Sequence, residues 1–257
     1  MSRYALLIEF DGTNYSGWQI QKGVQTVQGT LETAIYELTE ERTRVVGSGR
    51  TDAGVHAFGQ VAHFDIESKR FPSDVYMRGL NTYLPEDILV KNCTEISKGF
   101  HARYDARQRT YIYDITLEPV AIHRKYQWYV PAAIQRDHLL VAAKQVPGRR
   151  DFTSFMHARS DTRNTICEIL ESEWLMERHT LRYRITGDRF LHNMVRCLVG
   201  TMIEVARGRY SMDDFGLFLT QPSRDAPVYR APAHGLFLEQ VQYAQEIFHR
   251  ETTLESE

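Results

Sequence analysis

Hydrophobic and polar residues alternate along this chain with two periods, one typical of strands and one typical of helices. Short β-prone runs with a period of two, most of them bounded by glycine, proline or charged turn residues, predict the strands. These strands are expected at residues 4–10, 61–66, 87–96, 109–116, 166–175, 180–187 and 236–241. The pair 166–175 and 180–187 predicts a hairpin that turns near residues 177–179. Residues 61–66 alternate in polarity, which predicts a strand buried on one face only.

Apolar residues spaced three and four apart predict four helices. The first three are expected at residues 27–38, capped by Thr26, at 75–84, stopped near Pro85, and at 131–146, ended by Pro147 and Gly148. The fourth begins near Arg189 and has the clearest pattern. Its apolar side carries Leu191, Met194, Val195, Leu198, Val199, Met202, Val205 and Ala206, and its polar side carries Arg189, His192, Asn193, Arg196 and Gly200. Gly200 indicates that something packs closely against the polar side.

The order of these elements predicts an α+β protein built from two halves. Strands and helices alternate up to about residue 105, and a similar alternation follows. We therefore expect halves at 1–105 and 106–257, the first carrying a glycine-rich loop and the second a candidate tyrosine and arginine. No linker or residue-level repeat separates them, so they are expected to share an interface.

Composition narrows the class of protein without identifying a partner. The 257 residues have a formal net charge of −2, so a nucleic-acid partner would need a local basic surface. The run from Lys98 to Arg109 is one candidate, although a solvated face would have the same composition.

No apolar stretch is long enough for a membrane span, and Glu9 and Asp11 interrupt any signal peptide, so a cytoplasmic location is expected. The three cysteines are far apart and are expected to be reduced and buried.

The segment from Gly47 to Ala57 is the strongest candidate for chemistry. Gly47, Gly49 and Gly54 surround one carboxylate, Asp52, and Arg50 lies two residues before it. Glycines permit unusual backbone angles and close approach, so this loop could present a carboxylate rigidly to a substrate. An ordinary turn would explain the same composition. The loop lacks the Gly-Lys-Ser/Thr ending of a Walker A motif, and a strand rather than a helix follows it, which disfavours dinucleotide binding.

Other candidate residues have two interpretations each. His56 and His63 have no cysteine or carboxylate at ligand spacing, so structural histidines are favoured over a metal site. Arg196 fits a solvated helix face, but it could instead reach Asp52 and keep that carboxylate ionised. Tyr111 and Tyr113 share a strand face, which fits either the core or a base-stacking surface beside arginines.

Separate segments resemble one family, the tRNA pseudouridine synthase A family. The resemblance rests on an ordered set of motifs that spans nearly the whole chain. They are Phe10–Thr13 with Tyr15 and Gly17–Gln19, Gly49–His56, Phe100–Arg103, Arg109–Tyr113, Asp151–Phe155, Phe190–Arg196 and Ala231–Leu238.

The resemblance implies two related α/β halves that share a mixed, largely antiparallel sheet, with a basic active-site cleft between them. It also implies a homodimer that isomerises uridine to pseudouridine at tRNA positions 38, 39 and 40, in the anticodon stem-loop, without metal or cofactor. By position, Asp52 resembles the essential aspartate, Tyr111 the active-site tyrosine and Arg196 the arginine that pairs with the aspartate. The remaining arginines expected to bind tRNA are Arg50, Arg103, Arg107, Arg109 and Arg189.

Two other functions fit part of this pattern. A glycoside hydrolase would require a second catalytic carboxylate, and no other Asp or Glu is similarly surrounded by glycines. A non-catalytic RNA-binding protein would keep the basic and aromatic residues but would not require Asp52.

Overall fold

The computed structural model describes residues 1–67, 71–131, 133–157, 160 and 162–248. In this part of the chain, ten strands form one sheet and five α-helices pack against it. The strands are β1 Ser2–Phe10, β2 Val46–Gly47, β3 His56–Ile66, β4 Ile88–Ile96, β5 Ala106–Thr116, β6 Trp128–Tyr129, β7 Gly148–Asp151, β8 Ile166–Met176, β9 Thr180–Gly187 and β10 Leu236–Tyr243. The helices are α1 Val27–Thr39, α2 Ser73–Tyr83, α3 Arg136–Gln145, α4 Met194–Ala206 and α5 Met212–Thr220.

The sheet joins both parts of the chain without interruption. Its main strand order is β4-β1-β3-β10-β5-β9-β8-β7, with β2 paired to β3 and β6 to β5. Only the β10–β3 and β5–β6 pairs are parallel. The expected α+β fold with a mixed, largely antiparallel sheet is therefore confirmed. The late strand β10 lies between β3 and β5, so it connects the strands of the first part to those of the second.

Helix α1 begins where its sequence predicts. The side chain of Thr26 accepts a hydrogen bond from the backbone N–H of Gly29, which satisfies one of the unpaired donors at the helix start. The helix ends at Glu40, whose left-handed backbone closes the last turn. The aromatic rings of Tyr4, Phe64 and Tyr76 form a buried cluster on the same side of the sheet.

Strand β3 is buried on both faces, so the expectation of a half-buried strand is wrong. On one face Phe64 packs against Tyr4 and Tyr76. On the other, the backbone N–H of Ala102 donates to Nδ1 of His63 at 3.1 Å, which brings the chain before β5 across the strand. The polar residue His63 is buried because this segment covers it and supplies its hydrogen bond.

Helix α4 begins at Met194, five residues later than the expected start at Arg189. Asn193 has a left-handed backbone, with φ of 66°, which interrupts the helical path. All residues of the described helix except Arg196 are buried, so the interpretation of its polar side as a solvated face is wrong and the close packing indicated by Gly200 is confirmed. Gly200 lets another segment cross closely, as a Cβ built there would lie 2.2 Å from the carbonyl oxygen of Tyr229.

Helix α3 begins at Arg136, later than predicted, because the backbone of Gln135 before it is extended. The N–H of Gln135 donates to the carbonyl oxygen of Ala206 at the end of α4. The three cysteines, Cys93, Cys167 and Cys197, are buried thiols, as expected.

Among the described residues, no helix combines the length and apolar character needed to cross a membrane.

Candidate active site

Asp52 lies on the loop between β2 and β3, and an earlier segment of the chain supports this loop. The backbone N–H of Trp18 donates to the carbonyl of Thr51 at 3.1 Å, and that of Gly54 donates to Tyr15 at 3.4 Å. Gly17, with φ of +88°, has no side chain at this crossing, where a Cβ would lie 2.6 Å from the Thr51 oxygen. The glycines of this segment therefore let two stretches of backbone meet and hold the loop in place.

The Asp52 carboxylate is held by two basic side chains from the second part of the chain. Nη1 of Arg196 donates to Oδ2 of Asp52 at 2.9 Å, so the expected pairing of these residues is confirmed. Nε2 of His192 lies 3.0 Å from the other oxygen, Oδ1. Each carboxylate oxygen therefore has its own partner.

Arg196 is anchored from several directions. Its Nε donates to the carbonyl oxygen of Ala231 at 2.9 Å, and its Nη1 also donates to Oδ1 of Asn193 at 3.1 Å. The N–H of Ala231 returns a hydrogen bond to the carbonyl of Arg196 at 3.0 Å. The crossing at Gly200 makes this exchange possible, because it lets the segment containing Ala231 lie against α4.

These contacts determine the charge state of Asp52. Burial by itself would raise the pKa of Asp52, but the hydrogen bonds and positive charges of His192 and Arg196 outweigh it and lower that pKa below its ordinary value. The hydrogen bond to Asp52 raises the pKa of His192 above its ordinary value, despite partial desolvation and the nearby charges of Arg196 and Arg230. Asp52 is therefore an ionised carboxylate at neutral pH.

Tyr111 projects from β5 toward the same region. Its ring is buried and meets Phe190 edge to face, with ring centroids 5.1 Å apart. Burial raises the pKa of Tyr111 to about 12, with the charge of Arg109 opposing the rise and that of Asp52 adding to it. Its hydroxyl is therefore neutral near pH 7. Tyr113 on the same strand has a separate role, since its hydroxyl donates to the carbonyl of Pro232 at 2.8 Å.

Arg109 differs from the other arginines that we expected to bind tRNA. Its Nη1 donates to the carbonyl oxygens of Ala106 and Asp188, at 3.1 and 2.7 Å. Its Nη2 donates to those of Ser48 and Arg103, at 3.1 and 2.8 Å. All four Nη–H groups of this half-buried guanidinium therefore have backbone carbonyl acceptors.

Three of the other expected tRNA-binding arginines are more accessible than Arg109. Arg50, Arg103 and Arg107 are exposed, and Arg189 is half-buried. Arg103 lies over the ring of Tyr104, which is 75% exposed, with 5.9 Å from its guanidinium carbon to the ring centroid. Because Arg109 contacts the carbonyls of both Ser48 and Arg103, the segment containing Arg103 lies beside the Asp52 loop.

His56 and His63 are buried, and Nδ1 of each accepts a hydrogen bond from a backbone N–H. The N–H of Gly12 donates to Nδ1 of His56 at 3.0 Å, and Asp11 lies 2.9 Å from the same nitrogen. Burial lowers the pKa of His56, and it lowers that of His63 to about 4, where the charges of Arg3 and His101 act in the same direction. Across the described residues, no group of three or more His, Cys, Asp and Glu side chains is arranged to hold a metal ion.

The sequence pattern placed His192 and Asn193 on the polar side of the fourth predicted helix, but neither was predicted to belong to the site. The signal was present, because both lie just before Arg196. The contribution of Ala231 through its carbonyl oxygen has no side-chain signal and could be found only from the structure.

Comparison with known proteins shows the family to which this chain belongs. The family model described as tRNA pseudouridine synthase matches residues 6–105 and 142–244. A tRNA pseudouridine synthase A from Bacteroides fragilis is 41% identical over 249 residues, covering 96% of this chain and 99% of its own length. Relatives of the same name from Exiguobacterium sibiricum and Acetivibrio thermocellus are 37% and 39% identical, each covering 95% of this chain and 98% and 100% of their own lengths.

Proposed function

Because this chain belongs to the tRNA pseudouridine synthase family, we propose that it isomerises uridine to pseudouridine in tRNA, with Asp52 as the catalytic carboxylate. The observation that carries the assignment is the ionised Asp52, held between Arg196 and His192 on a loop that glycine contacts keep rigid. A glycosidic bond at C1′ must break in this reaction, and a fixed carboxylate is suited to acting on the ribose.

The reaction balances without an added reactant. The C1′–N1 bond breaks and its electron pair leaves with the uracil, whose negative charge is delocalised over the ring. The uracil rotates, C5 bonds to C1′, C5 loses its proton and N1 gains one. Since the base is its own nucleophile in the second half, no metal or cofactor is required.

Asp52 has two chemically distinct routes to the same product. In the first its carboxylate attacks C1′ and forms a covalent sugar ester, which the rotated uracil then displaces. In the second it removes a ribose proton at C2′, which expels the uracil and leaves a C1′–C2′ double bond; C5 then adds to C1′ as the proton returns from Asp52 to C2′. Deuterium at C2′ distinguishes them, because only proton removal makes breakage of that C–H bond part of the reaction.

Tyr111 is assigned to the base rather than to the sugar. The target uridine must leave its stack before C1′ becomes accessible, and an aromatic ring can cover the flipped base. The edge contact with Phe190 fixes the Tyr111 ring, and its neutral hydroxyl is a poor general base at neutral pH.

The tRNA surface is assigned to the exposed arginines near the Asp52 loop, namely Arg50, Arg103 and Arg107, with Arg189 beside them. We further propose that the targets are uridines 38, 39 and 40 of the anticodon stem-loop, that the protein works as a homodimer in which each tRNA contacts both subunits, and that it acts in the cytoplasm. The target positions and the homodimer rest on the family resemblance of the motifs.

The decisive experiment incubates the purified protein with unmodified tRNA in EDTA and maps pseudouridine by base-specific chemical modification. Pseudouridine at 38, 39 or 40, lost when those uridines are changed to cytidine, supports the proposal. Binding without isomerisation would favour the RNA-binding alternative, and release of free uracil would favour a hydrolase. Light scattering with and without tRNA measures the subunit number.

A further inference from the structure

Arg109 lies where three stretches of backbone converge beside the candidate site. Its four Nη–H groups donate to carbonyl oxygens at 2.7 to 3.1 Å, those of Ala106, Asp188, Ser48 and Arg103. In the described part of the chain, no carboxylate lies within ion-pair distance of this guanidinium. A planar group with fixed donors suits several carbonyl acceptors at once, which an ammonium group does not.

Two of the acceptors belong to the segments that carry the site. Ser48 lies four residues before Asp52, and Asp188 lies four residues before His192 and eight before Arg196. The two segments come from opposite parts of the chain, and the Asp52 contacts depend on their alignment. One guanidinium therefore connects both backbones, through Nη2 on one side and Nη1 on the other.

The surroundings of Arg109 make it a poor ligand for phosphate. Burial lowers the pKa of Arg109 from its ordinary value, with Tyr111, Tyr243 and Asp188 partly restoring it. A phosphate could reach its Nη atoms only by displacing carbonyl groups that the arginine already satisfies. Arg107, two residues earlier on the same strand, is exposed.

We infer that Arg109 is a positioning residue that holds the Asp52 loop and the segment of His192 and Arg196 in alignment. It acts through the backbone at Ser48 and Asp188 and contacts no reacting atom. The inference rests on the proposed function, because it gives Arg109 a role relative to Asp52.

The test compares Arg109→Lys with two other arginine substitutions. Arg182→Lys is the matched control, since Arg182 makes a two-pronged ion pair with Asp114 of β5, at 2.7 and 2.8 Å, and is outside the assigned site. Arg107→Gln shows what the loss of one phosphate contact does to tRNA binding, so Arg109→Lys can be compared with it. For each variant we would measure tRNA affinity across a salt series and the rate of pseudouridine formation in a single turnover at saturating enzyme.

We expect Arg109→Lys to slow the saturated rate by about 10- to 100-fold, because misplacement by about 1 Å has effects of that size. Its tRNA affinity and salt slope should stay within about twofold of the wild type, and Arg182→Lys should match the wild type throughout. Arg107→Gln should instead weaken binding and reduce the salt slope by about one unit.

A second variant separates alignment from general loss of folding. Arg109→Ala removes the guanidinium, and about 10 mM guanidinium ion, well below the molar concentrations that unfold proteins, should restore part of its rate. No restoration should occur in Arg182→Ala.

Two results would overturn the inference: a saturated rate in Arg109→Lys equal to that of the wild type, or a salt slope reduced by about one unit. If the wild type forms no pseudouridine, the proposed function fails, while the salt slopes still report whether Arg109 holds a phosphate.

Discussion

Nε2 of His192 lies 3.0 Å from Oδ1 of Asp52, on the oxygen that Arg196 leaves free. The two partners of Asp52 differ in exposure and in how firmly they are anchored. The Arg196 side chain is only 11% exposed and is anchored to Ala231 and Asn193, whereas the His192 side chain is 54% exposed. We therefore expect His192, rather than Arg196, to be the partner that moves away when a ribose approaches Asp52.

This difference predicts a pH-dependent rate. Below its raised pKa, His192 is a cation that competes with the substrate for Oδ1, and above that pKa the competition weakens. We expect the single-turnover rate to increase as pH rises through the His192 pKa, above 6.5, and His192→Gln to remove much of that rise. The charged groups facing His192 are Asp52, Arg196 and Arg230, and the ring of His157 stacks on it at 4.9 Å. An unchanged pH profile in His192→Gln would assign the titration to another group.

Replacing Asp52 by Asn should abolish pseudouridine formation and leave tRNA binding largely intact. The amide keeps the size of the side chain but loses the charge that both proposed routes require. Asp74→Asn is the control, since Asp74 lies exposed on α2 and pairs with Arg78. Measurable turnover by Asp52→Asn above the level of a no-enzyme blank would disprove the catalytic assignment.

Arg196→Lys should reduce the saturated rate by about 100-fold, because the loss of one fixed donor in a catalytic site has about that cost. An ammonium group cannot contact Asp52, Asn193 and the Ala231 carbonyl in the geometry that the guanidinium provides. The single-turnover assay at saturating enzyme measures this effect without interference from binding. A rate within twofold of the wild type would show that the pairing is dispensable.

Arg107→Ala should weaken tRNA binding with little change in the rate at saturation. Loss of one phosphate contact lowers the salt slope of binding by about one unit. Contacts of this kind exist in both the ground and transition states, so KM should rise more than kcat falls. Arg42→Ala removes another exposed arginine, which lies over Tyr36, and should leave the slope unchanged. Equal slopes in both variants would indicate that Arg107 is only a solvated charge.

His63 should make the protein less stable in acid. Burial lowers its pKa to about 4, so the unfolded chain binds a proton between pH 6.5 and 4 that the folded protein does not. The stability present at pH 7 is therefore lost as pH falls through this range. In His63→Gln the loss of unfolding free energy between pH 7 and pH 5 should be smaller by about 1 kcal/mol, allowing for solvent screening. Urea unfolding at both pH values measures the difference, and equal losses would exclude His63 as the source.

The sequence predicted most of the strands and the pairing of Asp52 with Arg196. Period-two runs and the cap at Thr26 are local signals, so they survive in any packing that buries the apolar face. Periodicity carries no information about contacts between distant residues. The family resemblance of the motifs did, and it predicted the contact between Asp52 and Arg196, which are 144 positions apart.

The remaining features depend on tertiary contacts. Helix α4 begins only at Met194 because Asn193 has a left-handed backbone, and the spacing of the apolar residues does not distinguish Asn193 from a helical residue. The four acceptors of Arg109 are backbone carbonyls, which every residue has, so sequence alone makes this arginine resemble the exposed Arg107.

The parallel pairing of β10 with β3 constrains the order in which the molecule can form during synthesis on the ribosome. Until residues 236–243 emerge, β3 at His56 and Ala57 and most of the length of β5 lack the neighbour that β10 provides, and such edges can pair with other nascent chains. Ala231, whose carbonyl oxygen accepts a hydrogen bond from Arg196, lies a few residues before β10. Pairing of β10 with the sheet therefore also brings Ala231 to Arg196. A ribosome stalled before this point would therefore hold a chain that contains Asp52 and Arg196 but lacks both the strand that joins the two parts of the sheet and the completed candidate site.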